Sequence, residues 1–174
     1  MPWSYESGLC GAKAILRQRK SLIPYLYNCA YNSVENDVPM QAPPYIYYND
    51  ENIDVNTDSF MLGRDVLAKC VLDEGVTQVS VYLPKGDDWY LNETGKLYCG
   101  GNTVKVDLPS DKPVPYFIRC GSVFPVDEGE CSYKSAEKVI FTVYPVKNGK
   151  FTARYFNDDG ESFEYLKNNC VKLE

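Results

Sequence analysis

The residues best placed to do chemistry are three acidic pairs. Asp73-Glu74, Asp87-Asp88 and Asp158-Asp159 each set two carboxyl groups side by side in the sequence. Two carboxyls held a few ångströms apart can divide acid and base work between them. Neighbours on a strand or turn point apart, however, and Asp158-Asp159-Gly160 has the composition of a turn. Asp73-Glu74-Gly75 and Lys85-Gly86-Asp87-Asp88 read the same way, so all three pairs are expected to be turn acids. The EF-hand spacing is missing and no metal site is expected. The chain has no histidine, which removes Ser–His and Cys–His mechanisms and the commonest metal ligand. Its cysteines are Cys10, Cys29, Cys70, Cys99, Cys120, Cys131 and Cys170. None form a C-x-x-C pair, so neither zinc nor a redox couple is expected. Cys70 and Cys120 adjoin apolar runs, where a thiol acts as a small buried hydrophobe. A reduced, cytoplasmic setting is the simpler account. Nothing among these groups calls for a cofactor.

The elements that must carry these residues form one helix and many strands. Over Ile15 to Tyr31, apolar residues recur near the helical period of 3.6, and Leu22, Tyr25 and Tyr27 widen the stripe. A helix apolar on most of its circumference is expected to be buried on most sides. Pro24 lies inside it and predicts a kink rather than an end, because the apolar pattern runs on for two more turns. The basic residues Arg17, Arg19 and Lys20 read as a solvated face or as salt-bridge partners. With a net charge of −6, a nucleic-acid partner is not expected. No apolar run approaches the length of about 20 residues that spans a bilayer, and no signal peptide follows Met1.

After a proline-rich crossover over residues 36–58, in which Tyr45-Ile-Tyr-Tyr48 reads as a short strand, the pattern becomes all-β. Strands are expected at Phe60 to Leu62, Val66 to Leu72, Val79 to Leu83, Trp89-Tyr90, Lys96 to Cys99 and Val104 to Leu108. Pro113 to Arg119 is a strand opened by prolines, which places its start on an edge. A polar linker over 126–136 leads to a three-stranded meander: Val139 to Val143, Phe151 to Tyr155 and Ser162 to Leu166. Many short strands at turn spacings of about 8–12 residues indicate a sandwich. The fold class is therefore mainly β, an antiparallel β-sandwich preceded by one long N-terminal helix. At 174 residues this is one domain or a little more. Leu173-Glu174 and Met1 read as additions to a piece of a longer protein.

Pro2-Trp-Ser-Tyr-Glu6, Leu16-Arg-Gln-Arg19 and Leu22-Ile-Pro-Tyr-Leu-Tyr27 look like the last barrel helix of glycoside hydrolase family 31, the retaining α-glucosidases and α-xylosidases. Phe60-Met-Leu-Gly63, Val71-Leu-Asp-Glu-Gly75, Val81-Tyr-Leu-Pro84, Trp89-Tyr90, Thr94-Gly95, Gly100-Gly101, Pro113 to Arg119 and Gly121-Ser122 continue colinearly. Val143-Tyr-Pro145 and Phe156 to Ser162 resemble the opening of the second C-terminal domain. Ala42, Lys69, Cys70, Leu91 and Glu93 depart from the family's usual residues.

The resemblance implies a division into residues 1–40 (loop and last helix of a truncated (β/α)8 barrel), 41–127 (proximal β-sandwich) and 128–174 (start of the distal β-domain). It implies a parent that cleaves α-linked oligosaccharides with two carboxyl groups about 5–5.5 Å apart. In the family both are barrel aspartates upstream of the last helix, and no stretch here matches them. The chain alone is therefore expected to be inactive and to support the barrel, its missing partner. Trp3, Tyr5 and Glu6 fall where the family's loop borders the substrate. The helix, deprived of its barrel, is expected to fold back on the sandwich or to bury itself against a second copy. The other reading is a free-standing carbohydrate-binding or adhesion module that uses Tyr45, Tyr47, Tyr48, Trp89 and Tyr90.

Overall fold

A computed structural model describes residues 6–108, 115–127, 139–146, 155–167 and 171–173. The chain forms two compact units, one from Met1–Ile15 and Gln41–Cys120, the other from Leu16–Met40 and Gly121–Glu174.

The expected long helix is present and its kink divides it into α1 (Glu6–Ser21) and α2 (Ile23–Asn36). The path stays helical through the bend. Leu22 keeps helical dihedrals, its N–H donates to the Gln18 carbonyl at 3.1 Å, and its own carbonyl accepts from Leu26 N–H at 2.9 Å. Pro24 thus falls in the first turn of α2, where a missing N–H costs little. At the far end Asp37 takes the left-handed conformation, φ 52°, and the helix stops.

The first unit holds a six-stranded antiparallel sheet in the order β1-β2-β3-β8-β5-β6 and a separate β4–β7 ribbon. The sheet strands are β1 (Gln41–Ala42), β2 (Ser59–Leu62), β3 (Val66–Lys69), β5 (Trp89–Leu91), β6 (Leu97–Tyr98) and β8 (Phe117–Arg119). The ribbon pairs β4 (Gln78–Leu83) with β7 (Asn102–Asp107). Met61, Leu67, Trp89, Leu91 and Phe117 from the sheet share one core with Val81, Leu83 and Val106 from the ribbon, which makes the sandwich. Strand alternation explains the sorting: Val81 and Leu83 are buried while Ser80 stays exposed.

Two local expectations are corrected here. Tyr45 to Tyr48 is not a strand. Pro44–Ile46 is a turn of 3-10 helix, and the N–H groups of Tyr47 and Tyr48 donate to the Pro44 carbonyl at 3.1 and 3.0 Å. Pro43 fixes an extended entry, φ −60° and ψ 148°, and the turn then delivers Tyr48 into the core. Strand β8 is not an edge: it lies between β3 and β5, with Phe117 and Ile118 both buried. Pro115 precedes the paired residues, so it removes no ladder bond; Pro113 lies outside the described residues.

The second unit packs α2 on β9 (Val123–Asp127) and β11 (Tyr155–Asn157). Tyr25 meets Phe124 with ring centroids 4.4 Å apart. Tyr31 lies parallel to Phe156 at 3.8 Å and 2°. Among the described residues the meander differs from expectation. Strand β10 (Val139–Val143) pairs with β9, and β11 pairs with β12 (Val171–Leu173). Residues 162–166 do not form a strand; Glu164–Lys167 is 3-10 helix. The Asp158 and Asp159 carboxylates bond the N–H groups that follow them, a local alternative to strand pairing. The expected turn at Lys147-Asn148-Gly149 and the strand from Phe151 begin outside the described residues.

Candidate functional site

Two of the acidic pairs are spent on structure. Asp87 accepts from the Tyr48 hydroxyl at 2.9 Å and lies 3.8 Å from the Arg119 guanidinium. Arg119 reaches the other way to Asp65 through Nε at 3.0 Å and Nη2 at 2.7 Å. Burial works to lower the Arg119 pKa, but the charges of Asp65 and Asp87 overcome it and hold the guanidinium above its ordinary value. Burial, and then Asp87, push the Tyr48 pKa well above that of an ordinary tyrosine. This network bolts β8 to the turns around Asp65 and Asp87. Asp88 accepts from the Gly100 N–H at 3.2 Å. Asp158 accepts from Tyr27 Oη at 2.6 Å and from Gly160 N–H at 2.9 Å. Asp159 takes the Ser162 hydroxyl at 2.6 Å; hydrogen bonds from Ser162 and Glu161 hold its pKa below the usual range. Asp73 and Glu74 are exposed in a turn.

Of the basic cluster, Lys20 pairs with the largely buried Asp127 at 3.9 Å. Arg17 and Arg19 are exposed. Composition alone could not separate these roles, because Asp127 lies more than 100 positions along the chain. Among the described residues no group of three or more His, Cys, Asp or Glu side chains could hold a metal ion. No helix there is long and apolar enough to cross a membrane.

The aromatics weighed as a sugar platform are dispersed. Trp89 and Tyr48 are buried core residues, Tyr47 packs against that core, Tyr90 is half-buried, and only Tyr45 is exposed. Trp3 and Tyr5 lie outside the described residues, and Glu6 is the first residue of α1. What the helices do offer is apolar side chains in solvent: Leu9, Ile15 and Leu16 on α1, and Ile23, Tyr27 and Val34 on α2. Leu16 is 64% exposed on a residue type that is usually buried.

Residues 37–124 match the model of the glycosyl hydrolase family 31 C-terminal domain. The chain belongs to glycosyl hydrolase family 31. The matched span contains the whole six-stranded sheet and the β4–β7 ribbon. Similar curated proteins include a probable glucan 1,3-alpha-glucosidase of Arabidopsis thaliana, 31% identical over 98% of this chain and 19% of its own length. A neutral alpha-glucosidase C of Mus musculus is 33% identical over 97% of this chain and 19% of its own length. Among solved structures, a family 31 dextranase of Flavobacterium johnsoniae complexed with isomaltotriose superposes with a TM-score of 0.81 at 27% identity, covering 99% of this chain and 22% of that one. The family 31 alpha-xylosidase of Xanthomonas citri superposes at 0.77 with 30% identity, over 90% of this chain and 17% of its own. The chain spans about a fifth of the length of the curated relatives it matches.

Proposed function

We propose that this chain is the non-catalytic C-terminal part of a family 31 retaining α-glycosidase and that its work is to support the catalytic barrel. The observation that carries the reading is the set of apolar side chains that α1 and α2 leave in solvent. Leu16, Ile15 and Ile23 stand in solvent at 64%, 53% and 45% exposure, on helices whose sequence resembles the last helix of the family barrel. Apolar surface of that kind is expected to mark an interaction site. The barrel would cover these side chains, and α2, held on β9 by Tyr25 against Phe124 and on β11 by Tyr31 against Phe156, would tie that contact to the second unit. The hydrolysis itself belongs to the parent and to two carboxylates upstream, acting on α-linked oligosaccharides as the names of the relatives indicate. Trp3, Tyr5 and Glu6 border the substrate on this reading. Cys10, Cys70 and Cys99 are exposed cysteines outside any disulfide, in keeping with a reducing, cytoplasmic setting, which is part of the proposal.

The test is an assay of the homogeneous chain on nitrophenyl α-glucosides and α-xylosides. No turnover above the uncatalysed rate is expected. Turnover that stays with the chain through purification would overturn the proposal. The dispersed aromatics favour no free-standing sugar-binding module built on them.

A further inference from the structure

The first unit contains a polar cavity of about 210 Å³. Its wall is the loop over residues 52–58, where every second residue is an amide or an acid: Asn52, Asp54, Asn56 and Asp58. Its floor includes Tyr82 of β4, with Thr103 opposite on β7. The loop is anchored by Ile53, which is buried in the core. Asp50 fixes both sides. It accepts from Tyr82 Oη at 2.6 Å and Lys85 N–H at 2.9 Å, and from the N–H and side-chain amide of Asn52 at 3.1 Å. Those bonds, Tyr82's foremost, lower its pKa to about 2. Asp50 is thus a post that holds the tyrosine ring and the loop in place; on the rim, Asp54 accepts from the Asn56 N–H at 2.9 Å, and Asp58 and Thr103 are exposed.

The lining selects a ligand class. Two carboxylates, Asp54 and Asp58, against one ammonium, Lys69, disfavour an anion. The described residues bring no three metal-ligating acids together, and an ammonium in the wall repels a cation. The apolar lining is small for a hydrophobic ligand. The volume is below the roughly 300–1,000 Å³ of sites for drug-sized molecules. Carboxylates and amides that exchange hydrogen bonds with hydroxyls, beside an aromatic ring, suit a small neutral polyol ring. We propose that the cavity bounded by Asp54, Asp58, Tyr82 and Thr103 is a non-catalytic site for a single neutral sugar residue, the end of an α-linked glucan chain. The choice of a glucan rests on the proposed function; the polyol chemistry does not.

The experiment is a titration of the isotope-labelled chain with glucose, maltotriose, isomaltotriose and, separately, calcium, read by amide chemical shifts. Saturable shifts with either trisaccharide, confined to residues 52–59, 80–82 and 103, are expected. Asp58→Ala should weaken binding about two- to tenfold, the value of one hydrogen bond to a ligand hydroxyl. Thr103→Val, which keeps its shape, should weaken it similarly and serves if Asp58→Ala loses the dispersed spectrum. The inference is overturned by absence of shifts at saturating sugar, by shifts mapping elsewhere, by calcium alone reproducing them, or by unchanged affinity in a folded variant. Shifts with glucose but with neither trisaccharide keep the polyol site and refute only the glucan assignment. The proposed function is judged separately by turnover, so the two can fail independently.

Discussion

Phe156→Ala is expected to release α2 from the second unit. The Phe156 ring is 4% exposed. It stacks on Tyr31 at 3.8 Å and 2° and lies 5.9 Å from Tyr27 at 29°. Truncating a buried phenylalanine to alanine costs about 3–5 kcal/mol, of which an aromatic pair accounts for about 0.5–1.5 kcal/mol. Phe156→Leu separates the two contributions, because it keeps most of the buried volume and loses the stack. Whole-chain stabilities are only about 5–15 kcal/mol, so the alanine variant should consume a large share. Hydrogen exchange at the α2 amides reads the second unit directly. If the chain melts as one body, the midpoint should fall by about 2–4 °C per kcal/mol. A loss under about 1 kcal/mol for alanine would refute the buried stack. Alanine and leucine variants of equal stability would also refute the reasoning.

Tyr48→Phe should flatten the alkaline limb of the stability profile. The folded pKa is raised by burial and by Asp87 from an ordinary 10.0, so the contribution is complete below about pH 10 and is lost as pH rises beyond it. Denaturant midpoints from neutral to alkaline pH should show wild type losing stability faster than the variant. Gly100→Ala should cost about 1–3 kcal/mol by thermal melting, because an added methyl would collide with the carbonyl oxygens of Asp87 and Pro84. Ile23→Glu, at a side chain 45% exposed, should change the stability of this chain by no more than about 0.5 kcal/mol. It should also lower any concentration-dependent association seen by light scattering; an unchanged association would place that contact elsewhere.

The sandwich was legible because its strands alternate. Val79, Val81 and Leu83 predict β4, and the ladder to Val104 and Val106 is present. The kink was legible from Pro24. Tyr45 to Tyr48 misled because four β-formers outweigh the prolines in propensity, whereas Pro43 and Pro44 set the backbone first. The pairing of β10 with β9 and of β11 with β12 was not legible, because hairpin signals name neighbours in sequence and not partners across a linker. The Arg119–Asp65–Asp87–Tyr48 network was equally hidden. Its members lie on four separate segments, and a turn acid that bonds a core tyrosine has the same local sequence as a solvated one. The polar cavity left a faint trace in the alternation of Asn and Asp from Asp50 to Asp58, but only the fold shows that β4 and β7 border it.

The most direct test of the account is the size of the native gene product, detected in its source cells with an antibody raised against this chain. A band several times heavier than the 19.8 kDa of the chain is expected, since the relatives it matches are about five times longer, and α-glucoside hydrolysis should be captured with it. A native product of 19.8 kDa, with no heavier form, would contradict the claim that this chain works as the C-terminal support of a glycosidase barrel.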